Sequence, residues 1–488
     1  MDILPITRVE QVELDLRQLT ADVDKWLSYR REKDAARLQY ATQLNAVAAS
    51  LNKPIEALEK TLNVLRRDLP GAGAMLDVAD VYEKARLIQM QIAWLGRVLH
   101  FFKSRFDQRE DSRYAALLQA ADEVVWSCYH QPMEQAKATI VDFAGGPTPL
   151  PFVESYYAPA AFPMELVPSD LRDSDVGSEF MRSYLNRLPI PVLRVTHSSA
   201  ASPWWLALLA HEVGHHVQYD LLPGKALVSN YGSLLSNTIR AQKGGTPEDA
   251  SYWAQWSCEI FADIFSVHMM GQWALWAIVE FELRQRDQML ARRGSYPSPL
   301  VRIALMVETA RVLGLDAQEG LRGLNLDALA GEDAVAARDK GYVAAIVQAS
   351  RDPLPGVNVA LEGLSGFRLE DFQAGGTLEA WREAFQQTLD LPLNRTLPEA
   401  RLITAAALAA WADLSMQSAS TAGRQGKAPN EEDLAKEEVL AKRVTDVIAR
   451  SAVKGKRAAA EQRQVDGTDL AAWLLAPERT PSDFGGVG

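Results

Sequence analysis

Residues 203–220 read PWWLALLAHEVGHHVQYD, and residues 256–265 read WSCEIFADIF. The first stretch is apolar, opens on a proline and contains His211-Glu212-x-x-His215, so it predicts a helix from Pro203 with Ser202 as its N-cap. On a helix, positions i and i+4 share one face, about one turn apart. Two neutral imidazoles so placed can bind one Zn²⁺. Glu212 is turned about 100° from His211, which suits a general base reaching a water rather than a metal ligand. The chain has seven histidines in all, so this pairing is not a by-product of histidine-rich composition. A catalytic zinc needs a third protein ligand and an open position. Gln218 and Leu221 stand where a metzincin needs glycine and histidine. Asp220 is one candidate for the third ligand, but near the end of the same helix it would have to turn back. The better candidate is Glu259, 44 residues beyond His215. Asp263 follows it by one turn, on the same face, where a carboxylate can hold a histidine ring through its other nitrogen.

Working outward, the loop AQKGGTPED at 241–249 separates the first helix from a second, expected from Pro247 to Leu283. PIPVLRV at 189–195 predicts a short strand. GGPTPLPFVESYYAPAAFPMELVPSD at 145–170 is rich in proline and aromatics and is expected to be irregular. Residues 8–140 carry helical apolar spacing, with Val12, Leu14, Leu16, Leu19, Val23 and Leu27 as the first stripe. Turns are expected at Asn52-Lys53-Pro54 and over 69–73, and further helices over 78–100 and 114–137. Helices are also expected near 299–314, 333–350, 377–389 and 398–416. The fold class that follows is α+β and predominantly α-helical, with a small sheet. Three segments are expected: a separable helical module at 1–140, a domain carrying the motifs at 141–420, and a polar tail at 421–488, partly helical or disordered. The modest basic run in that tail, KRVTDVIARSAVKGKR, reads as a solvated helix.

Composition narrows the function classes. The 51 basic and 63 acidic residues give a net charge of −12, which provides no general attraction for nucleic acid or anionic lipid. The most apolar long stretch, 261–281, contains Asp263, His268, Gln272 and Glu280, which argues for a buried core helix over a membrane span. Two cysteines, Cys128 and Cys258, form no C-x-x-C motif and suit a reducing compartment. The first residues show no basic and apolar leader pattern, so a cytoplasmic location is expected.

The pair HEVGH and EIFAD resembles the gluzincin metallopeptidases, whose pattern is HExxH on one helix and ExxxD on the next. PIPVLRV is similar to the edge strand that lays a peptide across the site in that clan. SYPSPLVRIAL, at 295–305, resembles a proline–arginine segment of the HtpX and CAAX-prenyl-endopeptidase branch. Tyr296 stands where that branch has histidine, and Arg302 matches its arginine. The branch's membrane spans are not in this sequence. The resemblance covers about 120 residues, 189–310, and implies a gluzincin-like domain with Zn²⁺ on His211, His215 and Glu259. Oxyanion stabilisation would fall to Tyr296 or Arg302, Arg302 having the alternative of pairing with an acidic residue as scaffold. His268 and His197 are weaker candidates, better read as a core or surface histidine and a loop histidine. His216 is turned away from the ligand face. The tryptophans around both motifs, Trp204, Trp205, Trp253, Trp256, Trp273 and Trp276, read as core.

The expectation is a zinc-dependent endopeptidase acting on a protein or peptide substrate by limited proteolysis. The N-terminal helices would be available to a regulatory protein partner. The rival is a non-catalytic helical scaffold with a structural or degenerate metal site. Structural zinc usually takes four protein ligands, often cysteines, and this pattern offers three plus a spare glutamate.

Overall fold

A computed structural model describes residues 3–34, 40–67, 69, 78–140, 143, 145–168, 171–172, 187–321, 323–331, 333–386, 399–425 and 431–451. The structure is mostly helical, with one three-stranded sheet. The chain packs as two compact units, divided at Gln108–Arg109, with an excursion over Phe162–Val192 that belongs to the first. The division falls ahead of the boundary expected near residue 140.

The first unit is built on α1 (Ile3–Asp34), α2 (Ala41–Arg67) and α3 (Val78–Asp107). On α1 the buried apolar positions are Val9, Val12, Leu16, Leu19 and Val23, at three- and four-residue steps, followed by Trp26 and Leu27. Leu14 is exposed and lies outside the stripe that the sequence suggested. Trp26 donates its indole N–H to Asp107 at 3.2 Å, tying α1 to the end of α3. The turn expected at Pro54 is absent: Pro54 lies inside α2. It withholds an N–H from the carbonyl of Ser50, a cost that the buried face of Leu44, Val47, Leu51, Ile55, Leu58 and Leu62 outweighs. The turn over 69–73 lies almost wholly outside the described residues.

The second unit holds both sequence motifs. Its first helix, α4 (Ala115–Thr139), packs on the helix that carries HExxH. Leu118, Ala121, Val124, Val125 and Cys128 are fully buried in that core. The sheet has order β1-β3-β2, with β1 at Leu150–Glu154, β2 at Ala160–Phe162 and β3 at Val192–Thr196. Two strands therefore lie in the stretch expected to be irregular. The predicted strand over 189–195 forms, but it is central rather than at the edge. Both its flanks are paired, so β3 has no free edge on which to lay a peptide.

The expected helix from Pro203 begins as a tight 3₁₀ segment, Pro203–Leu208, and becomes α-helical over Leu209–Asp220. Ser202 precedes it without a side-chain capping bond. The second expected helix is three: Pro247–Gln255, Ser257–Met270 and Gln272–Glu282. Gly271 makes the second break, with φ of 63°; a Cβ there would meet the Phe372 ring at 2.5 Å. Later helices include Pro299–Val312, Ala334–Arg351, Thr377–Gln386 and Ala400–Gln425. In the expected tail, Glu431–Ser451 is a helix that buries Leu440, Val444, Val447 and Ile448 against α4 and the helix Ala400–Gln425. The rest of the tail, 452–488, lies outside the described residues.

Candidate metal centre

The helices Leu209–Asp220 and Ser257–Met270 cross in direct contact at Gly214. A Cβ at that glycine would lie 2.8 Å from Ala262 Cα and 3.2 Å from its Cβ. This backbone approach puts His211 and His215 opposite Glu259 and Asp263.

One ligand atom from each of His211, His215 and Glu259 lies within 4.8 Å of the others. His211 Nε2 stands 3.3 Å from Glu259 Oε2, and His215 Nε2 stands 3.6 Å from Glu259 Oε1. A tetrahedral ion held at about 2.1 Å separates its ligand atoms by about 3.4 Å, so these spacings fit a metal of zinc's size. The two histidine rings are perpendicular, with centroids 4.8 Å apart. Among the described residues this group has three members, two nitrogens and a carboxylate.

Asp263 occupies the place expected of it. Its Oδ1 accepts from His211 Nδ1 at 2.9 Å, which leaves Nε2 directed at the ligand group. Asp263 is fully buried, and Arg302 grips it with Nε at 2.9 Å and Nη2 at 2.7 Å. Arg302 Nη1 donates to Glu282 at 2.8 Å. Of the two roles open to Arg302, its contacts fill the scaffold one: every guanidinium nitrogen is engaged by a buried carboxylate. Its Nη2 also borders the ligand group, 3.7 Å from Glu259 Oε2.

Electrostatics follow from this arrangement. Burial disfavours a charge on His211, but the hydrogen bond and charge of Asp263, with Glu259, outweigh it and raise its pKa to about 10. Among the described residues no carboxylate holds the outer nitrogen of His215, and burial pushes its pKa down to about 4, a neutral imidazole. Burial also works against ionised Glu259, but His215, His211 and Arg302 hold it well below the usual carboxylate range. The buried carboxylates thus favour a proton on His211, while His215 stays neutral beside an ionised Glu259.

Glu212 is buried beside the group, and burial raises its pKa, with Glu259 adding to the effect. Tyr296 is half-exposed, and its phenol is pushed up first by Glu259, then by burial and Glu212, which brings it into the field of both carboxylates. It closes a tight turn in which Arg293 N–H donates to Tyr296 O at 3.1 Å and Tyr296 N–H donates to Arg293 O at 3.0 Å.

The other candidates lie elsewhere. Asp220 accepts the Tyr129 hydroxyl at 2.7 Å. His268 is buried against Ser365 and Phe367, and His197 packs edge-on to Tyr114. His216 is buried, outside the ligand group. Trp204, Trp253, Trp256, Trp273 and Trp276 are core, and Trp205 is partly buried against Trp276 and Trp411. Sequence reasoning missed Glu282. Glu282 lies one residue past the apolar stretch 261–281, and a buried acid at the end of such a run is the signal that could have found it. No protein-family model, curated protein or solved structure matches this chain, so a reading of the site rests on the geometry above.

Proposed function

We propose that the chain is a zinc-dependent endopeptidase, carried by the convergence of His211, His215 and Glu259 with Asp263 behind His211. Zinc in this nitrogen and carboxylate set supplies Lewis acidity, making water a nucleophile near neutral pH and polarising a carbonyl. Glu212 takes the proton of the attacking water and passes it to the departing amine nitrogen. Its burial, which raises the carboxylate's basicity, supports that role. The Tyr296 hydroxyl donates to the carbonyl oxygen as that oxygen gains charge. Asp263 keeps His211 in one tautomer, and Arg302 keeps Asp263 ionised and fixed. The domain around these residues is gluzincin-like, and the substrate is a protein cut at limited positions. The first unit's helices offer a surface to a regulatory protein partner. Among the described residues no helix is long and apolar enough to cross a membrane, and with two free thiols this supports a cytoplasmic setting.

Glu212→Gln tests the reading, because glutamine keeps the shape and cannot accept the proton. It should retain one zinc per chain while cleavage of a peptide library falls at least ~10²-fold. His211→Ala should lose the metal as well. Wild-type cleavage by the glutamine variant would remove this mechanism. A wild-type chain that holds zinc and cleaves nothing would favour the non-catalytic scaffold.

A further inference from the structure

Glu282 is the last residue of the helix Gln272–Glu282 and is buried. A carboxylate there faces the negative end of the helix dipole and is deprived of water, so it needs cations. It has three. Oε1 accepts from Arg302 Nη1 at 2.8 Å, and Oε2 lies 3.4 Å from Arg293 Nη1 and 3.6 Å from Arg284 Nη2. The two arginines that matter lead to different parts of the candidate site. Arg302 leads through Asp263 to His211 Nδ1. Arg293 begins the turn that ends at Tyr296. That turn is held from its other side by Trp256, whose indole N–H donates to Gly294 O at 3.0 Å, just ahead of the helix bearing Glu259. Gly294 has φ of 59°, so the turn requires a left-handed residue there.

We propose that Glu282 is a positioning residue that sets the Tyr296 turn against the metal-binding histidine by sharing one carboxylate between Arg293 and Arg302. The assignment rests on the hydrolytic reading for its purpose, but the coupling itself is a property of the apo and zinc-loaded protein. Glu282 touches no ligand atom of the group. It acts through Arg302 on His211 and through Arg293 on Tyr296.

The two arms can be cut separately. Arg293→Met removes the Tyr296 arm and leaves the Arg302–Asp263 pair in place. Glu282→Gln weakens both arms. The full-length chain is labelled with 3-fluorotyrosine, the Tyr296 fluorine signal is assigned with Tyr296→Phe, and zinc affinity is measured by chelator competition. Arg293→Met should shift the Tyr296 signal at unchanged zinc affinity, and kcat should fall roughly 10-fold with KM little changed. Glu282→Gln should shift the same signal and also weaken zinc binding by roughly 10-fold, the lower end of what outer-sphere partners give. Arg293→Met added to Glu282→Gln should move the Tyr296 signal little further.

A Tyr296 signal unmoved by Arg293→Met would overturn the proposal, as would loss of zinc affinity in that variant equal to that of Glu282→Gln. If Glu282→Gln does not fold, the Arg293→Met signal and its unchanged zinc affinity decide alone. A wild type without hydrolysis would sink the enzymatic reading, while the fluorine signal and metal affinity would still decide the coupling.

Discussion

At the residue scale the histidines differ because their outer partners differ. Asp263 meets His211 Nδ1 at 2.9 Å, and no comparable carboxylate contact reaches His215 Nδ1 among the described residues. His211 is therefore the imidazole whose ring orientation and basicity an outer carboxylate sets. Asp263→Asn keeps the size of the side chain but removes the charge that two nitrogens of Arg302 share. If the amide oxygen still accepts from His211, its NH₂ must face the guanidinium, donor against donor. Zinc affinity should fall roughly 10–100-fold, measured by chelator competition at fixed pH. Wild-type affinity and turnover in the asparagine variant would reject Asp263 as the group that orients the ring. The sequence carried this much of the site: spacing placed His211, His215, Glu259 and Asp263 on facing helical surfaces. It left Arg302 with two roles, because the choice depends on Glu282, a long-range partner that no local pattern indicates.

At the element scale, two helices meet because one of them lacks a side chain at the crossing. Gly214 lies between the two histidines, and its Cα faces the backbone of Ala262, which lies in the turn between Glu259 and Asp263. Gly214→Ala would put a methyl 2.8 Å from Ala262 Cα, and backbone cannot swing aside as a side-chain tip can. The helices must separate, at a cost of about 1–3 kcal/mol. Metal ligand distances tolerate shifts of about 0.2 Å, so zinc affinity should fall together with the thermal midpoint. Thermal unfolding with and without zinc checks this; an alanine variant matching wild type in both would show that the crossing has slack. The sequence marked Gly214 as small but could not say what approached it. Other elements were misread for the same reason. Trp256 and Gly271 break a stretch whose apolar composition reads as continuous helix, and Gly271 is required by Phe372, about 100 residues away. Pro54 stays in a helix because it lies on the well-buried face itself, beside Leu51, Ile55 and Leu58. The strands β1 and β2 are short, and the prolines and aromatics around them read as irregular chain.

At the scale of the whole molecule, α4 decides where the second unit begins. The sequence grouped it with the preceding helices because all four share helical spacing and short turns. Packing assigns it differently: Leu118, Ala121, Val124, Val125 and Cys128 are buried in the core that carries the HExxH helix, and Tyr129 donates to Asp220 at that helix's end. Arg109 adds a buried pair with Asp122 at 2.7 Å and donates to Pro151 O on β1. The helix Glu431–Ser451 then packs on α4, with Val444 and Ile448 fully buried. A chain starting at Thr148 would lose α4 and strip both the HExxH helix and Glu431–Ser451 of their shared partner. It should be recovered as insoluble or unfolded protein without stoichiometric zinc. A milder lesion in the full-length chain tests the same contact without truncation. Ile448→Ala removes buried volume between the two helices and should cost about 2–5 kcal/mol of stability. Its ligand group is untouched, so zinc should still bind at one per chain below the lowered midpoint. A soluble, zinc-binding chain beginning at Thr148 would show that α4 is dispensable. An Ile448→Ala midpoint equal to wild type would show that the last helix contributes no packing.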